Sequence, residues 1–98
     1  MVKLIVAYGP PEDPIAFDRH YAETHAPLAQ KLPKLRRFEA GKVIGAYGSD
    51  APYYFIAELS FDSPEELKSA MQSPEGEAAA ADVSSFASGG ATLMIVEA

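Results

Sequence analysis

Apolar residues fall in four short runs along this chain, each bounded by turn-forming residues, with three proline-led helix starts between them. Val2 to Tyr8 (VKLIVAY) is rich in β-branched residues and is followed by Gly9-Pro10-Pro11, which cannot continue a strand, so it is predicted as the first strand. Asp13-Pro14 then opens a helix. Aspartate suits the N-cap, and proline suits the first helical position, where its missing N–H would have no partner. The same device recurs at Ser63-Pro64, where Glu66 completes a capping box, and at Ser73-Pro74. Leu35 to Tyr47 and Tyr53 to Phe61 are strand-like runs joined by Gly48-Ser49-Asp50-Ala51-Pro52, which predicts a hairpin. Glu65 to Gln72 and Glu75 to Phe86 read as a second helical region in two parts, and Thr92 to Glu97 is the last strand.

The order β-α-β-β-α-β predicts an α+β fold: the ferredoxin-like arrangement, a four-stranded antiparallel sheet with helices on one face, in a single domain over residues 1–98. The strands are apolar on both sides. Strand one sets Leu4, Val6 and Tyr8 against Ile5 and Ala7, the last strand sets Leu93 and Ile95 against Met94 and Val96, and Tyr54 and Ile56 oppose Phe55, Ala57, Leu59 and Phe61. Sheets of this kind are normally covered on both faces, and the helices cover only one. Leaving the other bare forgoes about 25 cal/mol per Å² of apolar surface, so a homodimer packed through the sheet face is the expectation.

Within the first helix, successive residues about 100° apart place Phe17, Tyr21, Thr24 and Leu28 on one stripe, with His20 on one border and His25 on the other. Pro27 removes an N–H and pushes Ala26 out of the helical region, so the helix is expected to end near His25. An imidazole at such an end, titrating near pH 6.5 when unperturbed, is placed for acid–base work, with Tyr21 one turn away to assist. The competing reading has His25 donating to a backbone carbonyl and locking the kink. His20 and His25 are five residues apart, which does not match the i, i+4 spacing of paired helix ligands, and no metal site is expected.

Composition narrows the range of functions. There is no cysteine, so disulfides, thiolate metal sites and a cysteine nucleophile are excluded. The net charge of −6 disfavours nucleic acid. Five of the eight basic residues nevertheless fall together, at Lys31, Lys34, Arg36, Arg37 and Lys42, as a solvated helix end and strand or as an attractor for an anion. No run approaches the roughly 20 apolar residues of a membrane span, and the start lacks signal-peptide character, so a soluble cytoplasmic protein without membrane association is expected. No phosphate-loop, dinucleotide or G-x-S-x-G signature is present. Tyr8, Phe55, Phe61 and Phe86 are read as core residues or as the lining of an apolar cleft between the first helix and the sheet.

Phe17-x-x-x-Tyr21-x-x-x-His25-Ala26-Pro27-Leu28, then Leu32-Pro33-x-Leu35-Arg36, resembles the EthD family, named for an ethyl tert-butyl ether degradation protein. Phe61-x-Ser63-x-Glu65-Glu66-Leu67, Met71-x-Ser73-Pro74-Glu75-Gly76, Asp82, Phe86 and Gly89-Gly90 extend the likeness over nearly the whole chain. The resemblance implies a dimeric α+β barrel with a cleft between sheet and helices, in a superfamily that includes cofactor-free cyclases, isomerases and monooxygenases as well as haem-degrading enzymes. The haem-degrading relatives use a tryptophan, which this chain lacks. His20 stands where many members have an aromatic, and Lys34 where glycine is common.

Two functions follow as expectations. In one, His25 and Tyr21 carry out acid–base chemistry, without a bound cofactor, on a small hydrophobic aromatic or carbonyl metabolite of a catabolic or secondary-metabolic pathway. Tyr8, Phe17, His20, Phe55, Phe61 and Phe86 then line its binding site. In the other, the protein is a non-catalytic binding or accessory module for a hydrophobic metabolite or a redox partner.

Overall fold

All four strand-forming runs pair into one antiparallel sheet in the computed structural model, which describes residues 1–98. Strand β1 (Val2–Tyr8) lies inside, with β3 (Phe55–Phe61) on one side and β4 (Ala91–Glu97) on the other; β2 (Arg37–Lys42) extends the sheet beyond β3. The register sets Leu4 beside Leu59 and Ile95, and Val6 beside Ala57 and Leu93. One face is covered by α1 (Pro14–His20), α2 (Ala26–Ala29), α3 (Pro64–Gln72) and α4 (Pro74–Val83). Alternate residues of β1 and β3 meet Phe17, Tyr21, Leu32, Leu67 and Phe86 there to form the core. The ferredoxin-like α+β architecture expected from the element order is therefore present.

The barrel is not. The sheet is open, with β2 and β4 as its two edges, and four strands with ordinary twist are too few to bring one edge round to the other. The expectation of an α+β barrel is corrected to an open four-stranded sheet.

The hairpin strands are also shorter than predicted. Beyond Lys42 only the Val43 N–H to Tyr54 carbonyl bond, at 2.9 Å, continues the ladder. The chain then leaves the sheet through a segment containing Gly45 and Gly48, the latter at φ +80°, and Ile44 and Tyr47 project fully into solvent. Among the strands, apolar exposure is greatest on β4. The helices stop short of this edge, so Leu93 and Ile95 on the helix side are 53% and 63% exposed, while Met94 and Val96 are bare on the other. The uncovered face of β1 and β3 is mixed, because Lys3 and Glu58 form an ion pair at 3.3 Å beside the half-buried Ile5 and Ile56.

The helix starts follow the sequence. Asp13 accepts from the Ala16 N–H, Ser63 from Glu66 and Ser73 from Gly76, with a proline following each cap. The return half of the capping box at Ser63 does not form, and Glu66 Oε2 is left without a partner. Ser73 serves both helices at the corner between α3 and α4, since its hydroxyl also donates to the Ala70 carbonyl. The corner needs glycine at position 76. A Cβ there would run into the carbonyls of Ala70 and Met71. This tight turn aims α4 back across the first helix.

Lys34 occupies a left-handed backbone conformation, φ +66°, at an exposed position. A side chain there strains against its own carbonyl, at a cost of about 1–2 kcal/mol that glycine avoids in part at the expense of unfolded-state entropy. Lys34→Gly is therefore expected to stabilise the fold by roughly 0.5–1 kcal/mol in urea titration, with an unchanged slope. No change in midpoint would contradict this.

Candidate active site

The first helix does not stop at the proline. Tyr21–His25 forms a turn of π-helix, in which the Ala26 N–H reaches back to the Tyr21 carbonyl, and α2 follows directly with Ala26 at φ −58°, ψ −43°. The expected break is replaced by a widened turn. The missing donor of Pro27 falls where the bonding changes from the π to the α pattern, so the helix continues through it.

That turn decides which side chains face inward. In a regular helix a step of four residues drifts by about 40°, and three such steps would carry residue 29 far from the face of residue 17. The wide turn takes up the drift, and Phe17, Tyr21, His25 and Ala29 are all buried while Thr24 is exposed and Leu28 is only half-buried. Single π turns inside α-helices occur frequently at functional sites. Here the turn brings His25 inward, its side chain only 8% exposed.

His25 is held from two sides. Its Nδ1 lies 3.0 Å from Asp82 Oδ2, and its Nε2 lies 3.4 Å from the Tyr8 hydroxyl. Asp82, in the last turn of α4, also receives His20, whose Nε2 is 2.9 and 3.0 Å from the two carboxylate oxygens. A carboxylate accepts, so His25 carries its proton on Nδ1, and in the neutral ring Nε2 is a free acceptor toward Tyr8. Burial holds the His25 pKa below its ordinary 6.5, partly opposed by the Asp82 hydrogen bond. The Tyr8 and Tyr21 hydroxyls are pushed well above the usual phenol range by burial, so both are neutral donors. The result is a buried neutral imidazole with its tautomer fixed by a carboxylate.

His25 gives onto a cavity of about 170 Å³ between the helices and the sheet. Its walls come from β1 (Leu4, Val6, Tyr8), the π turn (Tyr21), α2 and the following loop (Ala29, Leu32), α4 (Ala79, Ala80, Val83), and Phe38, Ala57, Leu59, Met71 and Leu93. Of 15 lining residues 14 are hydrophobic, and His25 is the exception. Nδ1 is turned to Asp82, which is not among the lining residues, and Nε2 to the hydroxyl of Tyr8, which is.

The other predicted site residues lie elsewhere. Phe17, Phe55 and Phe86 form an aromatic cluster around Tyr8 and Tyr21, with ring centroids 4.3–6.2 Å apart, and do not line the cavity. Phe61 is wholly buried in the core. His20 sits behind Asp82, its ring 5.1 Å from that of Phe86, facing a separate polar depression. The site residue that spacing did not single out as functional is Asp82, 57 positions from His25. Its one local signal is placement, because an acidic side chain in the last turn of an alanine-rich helix opposes the helix dipole. The clustered cations are largely matched at home: Arg36 by Asp62, Arg37 by Glu39 and Lys42 by Asp18. No group of three or more His, Cys, Asp or Glu side chains is arranged to hold a metal ion, and no helix is long and apolar enough to cross a membrane.

The depressed His25 pKa has a consequence for stability. Above pH 6.5 His25 is neutral in both folded and unfolded chains. As the pH falls below that value the unfolded chain takes up a proton first, so stability present above it is lost on the way down to the folded value. Urea midpoints are expected to fall more steeply between about pH 7 and 5 for the wild type than for His25→Gln, which has no proton to gain. Parallel curves would contradict the assignment of a neutral buried imidazole.

Fold and site together define a ferredoxin-like α+β protein with a His–Asp pair at an apolar cavity. Residues 9–90 match the EthD domain, and the chain belongs to the EthD family. It is 44% identical over 97 residues, 99% of this chain and 94% of the relative, to an uncharacterized 11.0 kDa protein of the thcB-thcC intergenic region of Rhodococcus erythropolis. The crystal structure of an EthD family protein from Bacillus halodurans is 43% identical, with a TM-score of 0.93 over 100% of this chain and 98% of that one. A dimeric ferredoxin-like protein of unknown function from Thermobifida fusca shares the fold at 15% identity, with a TM-score of 0.75 over 99% of this chain and 90% of that one.

Proposed function

We propose that the protein binds a small, neutral, largely apolar carbonyl or phenolic metabolite in the cavity and that His25 moves a proton on it without a bound cofactor, in a catabolic or secondary-metabolic pathway. The observation that carries this reading is the His25 imidazole, anchored through Nδ1 to Asp82 and the one non-hydrophobic residue in the cavity wall. Nε2 takes a proton from a C–H beside a carbonyl, or from a phenolic O–H, and returns it to another atom of the same molecule. Asp82 remains ionised and stabilises the transient imidazolium, and the Tyr8 hydroxyl donates to the oxygen that gains charge. No further reactant is needed.

The cavity limits the guest. An apolar space of about 150 Å³ accepts a benzene-sized molecule, so a single ring or a short β-dicarbonyl fits. A carboxylate is disfavoured because no cation lines the walls. One positioned acid–base group supplies about 10²- to 10⁴-fold, enough for an activated substrate and not for an inert bond.

The second reading, a binding or accessory protein for a hydrophobic metabolite or a redox partner, is favoured by the Tyr8 contact, which occupies His25 Nε2. A thermal-shift screen of phenols, quinones and β-dicarbonyls, followed by turnover assays on the hits, separates the two. A ligand at 100 times its Kd stabilises by about 2.7 kcal/mol. If His25 is a base, His25→Ala abolishes turnover while retaining a thermal shift; if it only orients ligand, the variant alters affinity or melting alone. A screen in which no compound shifts the melting curve contradicts both.

We also propose a homodimer through the uncovered sheet face. It is supported by the exposed Met94 and Val96 on that face of β4, by the exposed Ile44 and Tyr47 beyond β2, and by the dimeric state of the Thermobifida fusca protein. Light scattering at micromolar concentration is expected to give twice the 10.5 kDa chain mass, and a monomer would contradict it.

A further inference from the structure

Asp82 is gripped by two imidazoles that face different surroundings. The His25 side chain is 8% exposed and borders the apolar cavity. The His20 side chain is 29% exposed and borders a polar depression lined also by Glu12, Asp13, Ser84, Ser85 and Ser88. The carboxylate between them is 13% exposed, and its Oδ2 receives both rings. An imidazole at the cavity and one at the polar depression therefore share the same carboxylate. The stacking of His20 on Phe86, with 22° between ring planes, fixes the direction from which it approaches.

Since His20 donates through Nε2, its Nδ1 is where a further proton from solvent would go. The resulting imidazolium would pair with Asp82 at 2.9 Å and neutralise the charge that His25 needs in order to become cationic. Two sites sharing one counter-charge titrate as a pair, with uptake at one suppressing uptake at the other.

We propose that His20 is a positioning residue for His25, acting through Asp82, and that the two imidazoles take up only one further proton between them, so that proton uptake by His20 from the solvent side weakens the buried base. The inference rests on the reading of His25 as a base. It assigns His20 two tasks. In its neutral form it holds the carboxylate square to His25; in its charged form it withdraws that carboxylate's support. The other ionisable groups around the pair are Tyr8 of β1 and Tyr21 of the π turn on the His25 side, Glu12 and Asp13 ahead of α1 on the His20 side, and Arg19 and Glu23, paired to each other at 3.5 Å on the outer face. Burial is the main cause of the depressed His25 pKa, and the charge of His20 acts in the same direction.

The test is an NMR titration of the two imidazoles in wild-type protein, His20→Gln and His20→Phe, with no ligand present. His20→Gln keeps an N–H for Asp82 and cannot take up a proton; His20→Phe keeps the ring on Phe86 and offers no N–H. In the wild type, protonation of one ring is expected to suppress protonation of the other. In both variants the His25 midpoint is expected to rise by about 0.5 to 1 pH unit. In His20→Phe the His25 Nδ1–H signal is also expected to broaden, because the carboxylate has lost its second anchor, and His20→Gln to retain a sharp one. A His25 midpoint that is unmoved in both variants, or independent titration of the two rings in the wild type, would overturn the proposal. Because no substrate enters the measurement, a failed ligand screen would count against the proposed function and leave this result standing.

Discussion

Phe17→Ala is expected to lose about 3–5 kcal/mol of folding stability, close to the whole stability of a marginal domain of this size. Phe17 is 1% exposed and lies at the centre of the aromatic cluster, edge-on to Tyr8, Tyr54 and Phe86 at 5.2–5.4 Å and stacked on Tyr21 at 6.0 Å. Truncation removes the transfer free energy of a buried ring and leaves a cavity that three other elements would have to collapse to fill. Tyr8 would lose the packing that holds its hydroxyl beside His25, and Tyr21 the ring stacked on it, so ligand binding should weaken along with melting. Phe17→Leu, which preserves most of the volume, should cost less than half as much. Urea denaturation measures both. A loss below about 1 kcal/mol for Phe17→Ala would mean that the cluster is not the core of the site.

The second large effect is expected at Asp82. Asp82→Ala removes the acceptor of two imidazoles at once, and His25 then keeps a buried N–H with nothing to receive it. An orphaned buried donor costs about 1–3 kcal/mol, and a hydrogen bond to a charged group is itself worth about 1.5–3, so a loss of roughly 2–4 kcal/mol is expected. The origin of that loss can be checked. In Asp82→Ala/His25→Leu the orphaned donor is gone, and the pair of substitutions should cost less than the sum of the two singles. Additive costs would place the effect of Asp82 elsewhere, in the end of α4 alone. Where a turnover assay exists, Asp82→Asn should lower the rate while leaving ligand affinity nearly intact, because its side chain no longer commits His25 to one tautomer.

Much of the frame is legible from residue order alone. Val2–Tyr8 is a strand to the residue, because β-branched positions run into Gly9-Pro10-Pro11 and stop. The three caps at Asp13, Ser63 and Ser73 stand where a short acceptor precedes proline, a local arrangement that needs no tertiary knowledge. What was not legible depends on the chain meeting itself. Pro27 reads as a stop, since a regular helix cannot absorb it, and only the packed structure shows the π turn that lets the helix continue and moves Thr24 out and His25 in. Asp82 joins His20 and His25 across 62 and 57 residues, and no short-range pattern encodes that meeting. Phe17, Phe55, Phe61 and Phe86 look the same in sequence whether they fill a core or line a cleft; the cavity opened instead beside smaller residues such as Ala57, Ala79 and Ala80. The open sheet likewise follows from strand count and edges, which a resemblance to dimeric relatives does not reveal.

At the heart of the site is a neutral imidazole with its proton on Nδ1 and its Nε2 accepting from Tyr8 beside an apolar cavity. Nitrogen-15 spectra of the His25 ring, recorded near neutral pH before and after addition of a small phenol that raises the melting temperature, test this most directly. The expected result is a protonated Nδ1 and an unprotonated Nε2 whose signal moves when the phenol displaces the Tyr8 contact. A proton found on Nε2, or an Nε2 signal unchanged by a bound phenol, would contradict it.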